Sequence, residues 1–278
     1  MTYKNFSEQD RITALLKLGN IIEHNLYVTS KAIEYCGENN WNYRLSSSIF
    51  PLITYDLARV NLIDLPNYES ITLKISEVRE MHYKYPAVRL SLHPDQFNVL
   101  ASENKKAVER TINELEFYAA FMTDIGCAEN QDCPINIHVN RNGNFKEIAD
   151  AFMFNFEYMA HAARSRLVLE NDDKAGGWGV VDLYDHFYSK YHIPITFDYL
   201  HHKCHPGKDD SMRSEEEAFY IAYSTWRKKP LFHYSESVYG DPNPRKHAEY
   251  AIALPNTYGK DIDLDFEFKA KEKSFAHL

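Results

Sequence analysis

One rhythm constrains this 278-residue chain more than any other feature. Short apolar or alternating runs recur along its length, each ending in polar residues, with helix-spaced stretches between them. The runs fall at 18–22, 43–47, 88–93, 135–139, 167–170, 195–198, 231–234 and 262–268. Between them, 104–123 sets Val108, Ile112, Leu115, Phe117 and Ala119 at helical spacing, and 148–163 keeps the same period. The longer connection over 51–85 has room for a helix or two besides the usual one. Strands that alternate with helices pair in parallel, and eight such units close naturally into a barrel. The expected fold is therefore α/β, a single (β/α)8 TIM barrel spanning 1–278. An open doubly wound sheet is the competing arrangement, but no GxGxxG follows an early strand.

Hydrophobic residues make up 44% of the chain, enough for one large core, and no apolar run approaches the roughly 20 residues that cross a bilayer. The first residues, Met-Thr-Tyr-Lys-Asn-Phe-Ser-Glu, hold no apolar leader. Cys36, Cys127, Cys133 and Cys204 form no CxxC pair and read as reduced thiols. The expectation is a cytoplasmic protein, monomeric, with no membrane partner. A net charge of −9 opposes a nucleic-acid partner at first sight. That objection weakens if several carboxylates ligate cations, because the ions cancel charge locally. Basic clusters remain at Lys105-Lys106, Arg227-Lys228-Lys229, Arg245-Lys246 and Lys269/Lys271/Lys273.

Metal-ligating residue types sit at the strand ends. His93, His138, Glu170, Asp198 and His233 each end or nearly end a run, and Glu267 lies in the last one. Taken singly, a histidine there is more often a hydrogen-bonded core residue, and an Asp or Glu a helix cap. Six in register on consecutive strands are hard to explain so, since barrel strands deliver their C-terminal residues to one mouth. Burying that much charge without cations would cost several kcal/mol per unpaired ion. The mixed nitrogen and oxygen donors suit Zn²⁺, Mn²⁺ or Fe²⁺ rather than Ca²⁺ or Mg²⁺. His201, three residues past Asp198, reaches a neighbouring ion, with His247 as its candidate partner. His202 and His205 read as supporting or surface residues. His24, His82, His161, His186, His192 and His277 read as structural.

His93-Pro-Asp-Gln-Phe97, Leu169-Glu-Asn-Asp172, Asp198-Tyr-Leu-His-His202 and Glu267-Phe-Lys269 resemble, in that order, the motifs of ultraviolet-damage endonucleases. Asn140-Arg-Asn-Gly143 and Arg44-Leu-Ser-Ser-Ser-Ile-Phe-Pro51 are also similar, so the likeness covers most of 18–271. The resemblance implies an eight-stranded α/β barrel related to the endonuclease IV group, with three divalent ions, manganese first and zinc second. It implies damaged double-stranded DNA as partner, whether nucleoid or nuclear, and incision immediately 5′ of pyrimidine dimers and (6-4) photoproducts, with some action on abasic sites. Carried over by position, Glu170 bridges two ions, His93 and His138 complete one site, Asp198, His233 and Glu267 the second, and His201 and His247 the third. Departures are Asn20 where relatives often have Tyr, Ser48 where some have His, and Leu231 where some have Lys.

Phosphodiester hydrolysis needs an activated water and charge dispersal on the phosphate, which a metal cluster supplies. Lys269, two residues past Glu267, shares its face if the strand stays extended and becomes a phosphate contact. Gln96 and Phe97 stand where a wedge could fill the space of extruded nucleotides. Asn25, Tyr43 and Arg44 are further DNA-contact candidates. Two other functions fit the same barrel: a metal-dependent sugar isomerase or epimerase, and a non-catalytic lesion binder. Five histidines in the proposed cluster favour the nuclease over the carboxylate-rich isomerase set, and a binder has no reason to keep every ligand.

Overall fold

The computed structural model describes residues 1–95, 98–208, 211–275 and 278. In chain order these form α1 (Tyr3–Ser7), α2 (Arg11–Glu38), β1 (Tyr43–Leu45), α3 (Tyr68–Lys84), β2 (Leu90–Leu92), α4 (Lys105–Asp124), β3 (Ile135–Ile137), α5 (Phe145–Glu157) and α6 (His161–Arg164). There follow β4 (Leu167–Glu170), α7 (Val180–Leu183), α8 (Ser189–Tyr191), β5 (Ile195–Thr196), α9 (Tyr199–Cys204), α10 (Glu215–Ser224), β6 (Leu231–Tyr234) and β7 (Asp263–Phe266). The α/β alternation and the parallel pairing are as the sequence requires. The chain divides into two compact units: Met1–Asn98, Glu103–Ile135 and Glu157–Arg166 in the first, Val99–Ser102, Asn136–Phe156 and Leu167–Leu278 in the second.

In the first unit β1 pairs with β2 in parallel, Tyr43 opposite Leu90 and Leu45 opposite Leu92, and β2 continues to β3 through Leu92 and Ile135. The expected strand at 18–22 does not exist; those residues lie inside α2. Leu18, Ile22, Leu26 and Ile33 are fully buried at helical spacing, and Asp10 caps the helix by accepting the Thr13 N–H at 3.0 Å. Five apolar-rich residues fit either period, and the longer 3.6-residue stripe decides. Gly19 packs closely before α3: a Cβ there would lie 1.9 Å from the Asn67 side chain, which would have to move aside. The connection over 51–85 carries two short 3₁₀ turns (Asp56–Ala58 and Leu62–Asp64) besides α3, as its length suggests.

Arg166 lies fully buried in this unit and spends its guanidinium on structure. It donates to the carbonyls of Ala128 (3.1 Å), Ala119 (3.3 Å), Ala162 (2.8 Å) and Cys127 (3.0 Å), and to the Thr123 hydroxyl (3.0 Å). Removing the donors strands those buried acceptors, so Arg166→Met is expected to cost about 2–4 kcal/mol. A loss of stability below roughly 0.5 kcal/mol in urea unfolding at unchanged slope, the size of an ordinary surface substitution, would contradict this.

In the second unit β4 pairs with β5 in parallel (Leu169–Ile195, Glu170–Thr196) and β6 with β7 (Leu231–Asp263 through Tyr234–Phe266). The His233 N–H donates to the Phe197 carbonyl at 2.9 Å, and Asp198 bridges His233 in parallel, joining the two pairs. Behind them Phe197, Phe219 and Phe232 pack edge-on with ring centroids 5.3–6.1 Å apart, all fully buried. That apolar backing fixes the strand ends that carry the polar residues. The four cysteines are free thiols, as expected. No helix among the described residues is long and apolar enough to cross a membrane.

Candidate metal centre

Within the second unit the strand ends converge around one carboxylate. Glu170, the last residue of β4, is fully buried. Its Oε1 lies 3.0 Å from His201 Nδ1 and 3.7 Å from His138 Nε2, and its Oε2 3.1 Å from His233 Nδ1. The Asn136 side-chain amide donates to Oε2. His138 follows β3, His201 sits in the first turn of α9, and His233 lies inside β6. Ligand atoms of His138, Glu170 and His201 all lie within 4.8 Å of one another, as do those of Asp198, His233 and Glu267.

Asp198 does two things at once. Its Oδ1 caps α9, accepting the His201 N–H at 2.6 Å. Its Oδ2 is buried without a hydrogen-bond donor among the described residues. A buried carboxylate oxygen with no donor calls for a cation, and with imidazoles and a second carboxylate beside it the donor set fits a divalent ion. Burial and neighbouring acids push the Asp198 carboxyl up to about 6. Glu170 goes the other way: burial opposes its charge, but His233 and His138 hold it well below the usual range.

The imidazoles respond in kind. Burial works against their charge, yet Glu170 raises His233 to about 9, and Asp198 with Glu170 holds His201 well above the ordinary histidine range. A cation binds neutral imidazole, so at pH 7 it must displace these protons. Affinity is therefore expected to climb as pH rises toward about 9, with proton release on binding. Titration calorimetry in buffers of differing ionisation enthalpy checks this; a binding heat independent of buffer would contradict it.

Supporting residues fix the ligands. His138 Nδ1 lies 3.0 Å from Asp172 Oδ1, and His201 Nδ1 3.0 Å from the Asn171 carbonyl. His233 Nε2 lies 3.8 Å from Asp265 Oδ2, and His247 Nδ1 is 2.7 Å from the Glu267 carbonyl. Such partners set which ring nitrogen faces an ion.

This geometry belongs beside that of known proteins. The family model described as UV-endonuclease UvdE matches residues 1–278. The chain belongs to the UV-endonuclease family. A UV DNA damage endonuclease of Nostoc sp. is 30% identical over 268 residues, covering 94% of this chain and 78% of that protein. The crystal structure of SacUVDE superposes with a TM-score of 0.77 at 25% identity, covering 93% of this chain and 85% of that one. Endonuclease IV from Thermus thermophilus shares the fold at a TM-score of 0.52 and 14% identity, covering 73% of this chain and 77% of that one.

For this family member, the residues singled out in sequence divide clearly. His138, Glu170, His201, Asp198, His233 and Glu267 come together, with Asp198, His233 and Glu267 grouped as anticipated. His201 groups with His138 and Glu170, whereas His247 lies outside the groups and meets the Glu267 backbone. His93 directly follows β2 in the first unit, half-buried, with Nδ1 3.0 Å from the Pro94 carbonyl. Gln96, Phe97 and His277 lie outside the described residues. Asn25 sits inside α2 and not after a strand, and it gives its amide protons to the Ser48 and Ile49 carbonyls at 3.0 Å. Tyr43 is half-buried with its hydroxyl bonded to Thr29, and Arg44 is half-buried in β1 opposite Ser91. Lys269 does not share a strand face with Glu267. β7 stops at Phe266, so alternation does not reach it; it lies exposed in a turn, its N–H on the Ala248 carbonyl at 3.2 Å. His202 and His205 are buried, His202 tilted against Phe197 and His205 on the Gly177 carbonyl.

Asn136, Asp172 and Asp265 escaped the sequence reading. Each lies two residues from a ligand candidate (His138, Glu170 and Glu267), so strand alternation applied to the strand-end ligands points to them.

Proposed function

We propose that this chain hydrolyses the phosphodiester bond immediately 5′ of ultraviolet photoproducts in double-stranded DNA, leaving a 3′-hydroxyl, and that it acts on abasic sites too. Membership of the UV-endonuclease family supports the substrate class, and one observation carries the chemistry: Glu170 holds histidines on both of its oxygens, between two groups of ligand atoms. In this reading three divalent ions, manganese before zinc, bind to His93, His138, Glu170, Asp198, His201, His233, His247 and Glu267. Bound there, the ions supply the activated water and disperse charge on the phosphate.

The chain's own residues do the rest. Glu170 sets the spacing of the imidazoles, and Asp198 divides its oxygens between the start of α9 and the cluster. Lys269, exposed past Glu267, contacts the phosphate backbone, and Arg44 is a second contact of that kind. Gln96 and Phe97 take the wedge role on the strength of the motif that His93 heads. A single closed eight-stranded barrel over 1–278 belongs to this reading, supported by the fold likeness to endonuclease IV.

A duplex carrying one defined pyrimidine dimer and an end label tests the cleavage position. The expected product ends directly 5′ of the dimer and is extended by a polymerase. Cleavage on the 3′ side alone, or an end that no polymerase extends, would overturn the proposal.

A further inference from the structure

The segment after β6 leaves the metal centre, turns, and comes back. Ser237 and His247 form an antiparallel bridge, the Val238 N–H donates to the Lys246 carbonyl at 2.9 Å, and His247 holds the Glu267 carbonyl. On the other side Arg245 Nη1 lies 3.7 Å from Asp173 Oδ2, next to the Asp172 that touches His138. The returning arm of the loop is thus tied to the rim of the ligand cluster by His247 and Arg245, while the outgoing arm continues from β6.

Its tip is a β-turn from Val238 to Asp241, closed by the Asp241 N–H on the Val238 carbonyl at 3.1 Å. Gly240 takes the left-handed third position (φ +75°), which a turn of this type demands. Tyr239 occupies the second position and is 98% exposed, and nothing lies within 4 Å of a Cβ built at Gly240. The loop is nevertheless well braced. Asp241 accepts from Lys246 Nζ at 2.6 Å and from the Asn243 N–H at 3.0 Å, Ser237 Oγ donates to the Pro244 carbonyl at 2.6 Å, and Pro242 and Pro244 restrict the backbone. From the Ser237 bridge to Tyr239 the chain reaches about 7 Å, at roughly 3.3 Å per extended residue.

A bare aromatic ring on a braced turn costs little entropy to immobilise and gains nothing from solvent. We propose that Tyr239 is a base-stacking residue that packs on a base unstacked at the damaged site, and so sets affinity for lesion DNA. The proposal rests on the DNA reading above and adds to it a residue that no motif marked.

The test compares wild type with Tyr239→Ala, Tyr239→Phe and Tyr239→Trp on a duplex containing one dimer, measuring KM and kcat separately. Stacking is worth about 1–3 kcal/mol per base, so Tyr239→Ala is expected to raise KM about 5- to 150-fold, with kcat at saturating DNA within about twofold. The ring alone suffices, so Phe and Trp should restore KM, and melting temperatures should be equal because so exposed a side chain contributes little packing. An unchanged KM for Tyr239→Ala in a wild-type background that cuts the dimer duplex would overturn this inference alone. A wild type that leaves dimer DNA uncut would overturn the DNA reading and this inference with it.

Discussion

Glu170→Gln is expected to remove incision while the protein still folds. The side chain is fully buried and uses both oxygens, Oε1 toward His138 and His201 and Oε2 toward His233. Glutamine keeps the shape but removes the negative charge that these imidazoles and any bridged cation require. It also turns an NH2 donor toward a histidine nitrogen that was facing an acceptor. Loss of a bridging charge at a metal centre costs several kcal/mol of transition-state stabilisation, so nicking should fall at least roughly 10³-fold, about 4 kcal/mol. Far-ultraviolet circular dichroism should match wild type. Full nicking by a folded Glu170→Gln variant would remove Glu170 from the chemistry.

Stripping divalent ions is expected to have an effect as large. With chelator, incision should drop to background, and manganese should restore it better than magnesium, because a histidine-rich site favours softer ions than magnesium. Melting should respond as well. An ion that binds only the folded chain stabilises it by about 4 kcal/mol at a thousandfold excess over its Kd, which is several degrees for a chain of this size. The Asp198 Oδ2 that lacks a donor, and the acids crowded beside His233, are the reason to expect a less stable ion-free protein. Undiminished nicking after exhaustive chelation would exclude a metal-based reaction here.

Most of this centre was readable in the chain because its parallel strands bury both faces. Runs such as 167–170 and 231–234 are apolar up to one ligand-type residue, Glu170 in one case and His233 in the other, which the strand buries with the rest. Where the run was short and helix-compatible, as at 18–22, the local pattern misled; the deciding contacts came from Leu26 and Ile33, beyond the window. Which histidines share a group was not readable. His201 and His247 look alike in sequence, but only α9 carries its histidine to Glu170, while His247 meets a backbone carbonyl. The placement of Lys269 was not readable for a similar reason, since the strand ended three residues before it. Tyr239 gave no signal, because the exposure of one tyrosine among twenty depends on a turn far from any motif.

Nicking of supercoiled plasmid tests the central claim most directly: irradiated and unirradiated DNA, wild-type protein, with manganese and with chelator. Relaxed circles are expected only from irradiated plasmid in the presence of manganese. Equal nicking of both plasmids, or nicking that persists under chelator, would contradict a metal-dependent incision directed by ultraviolet damage.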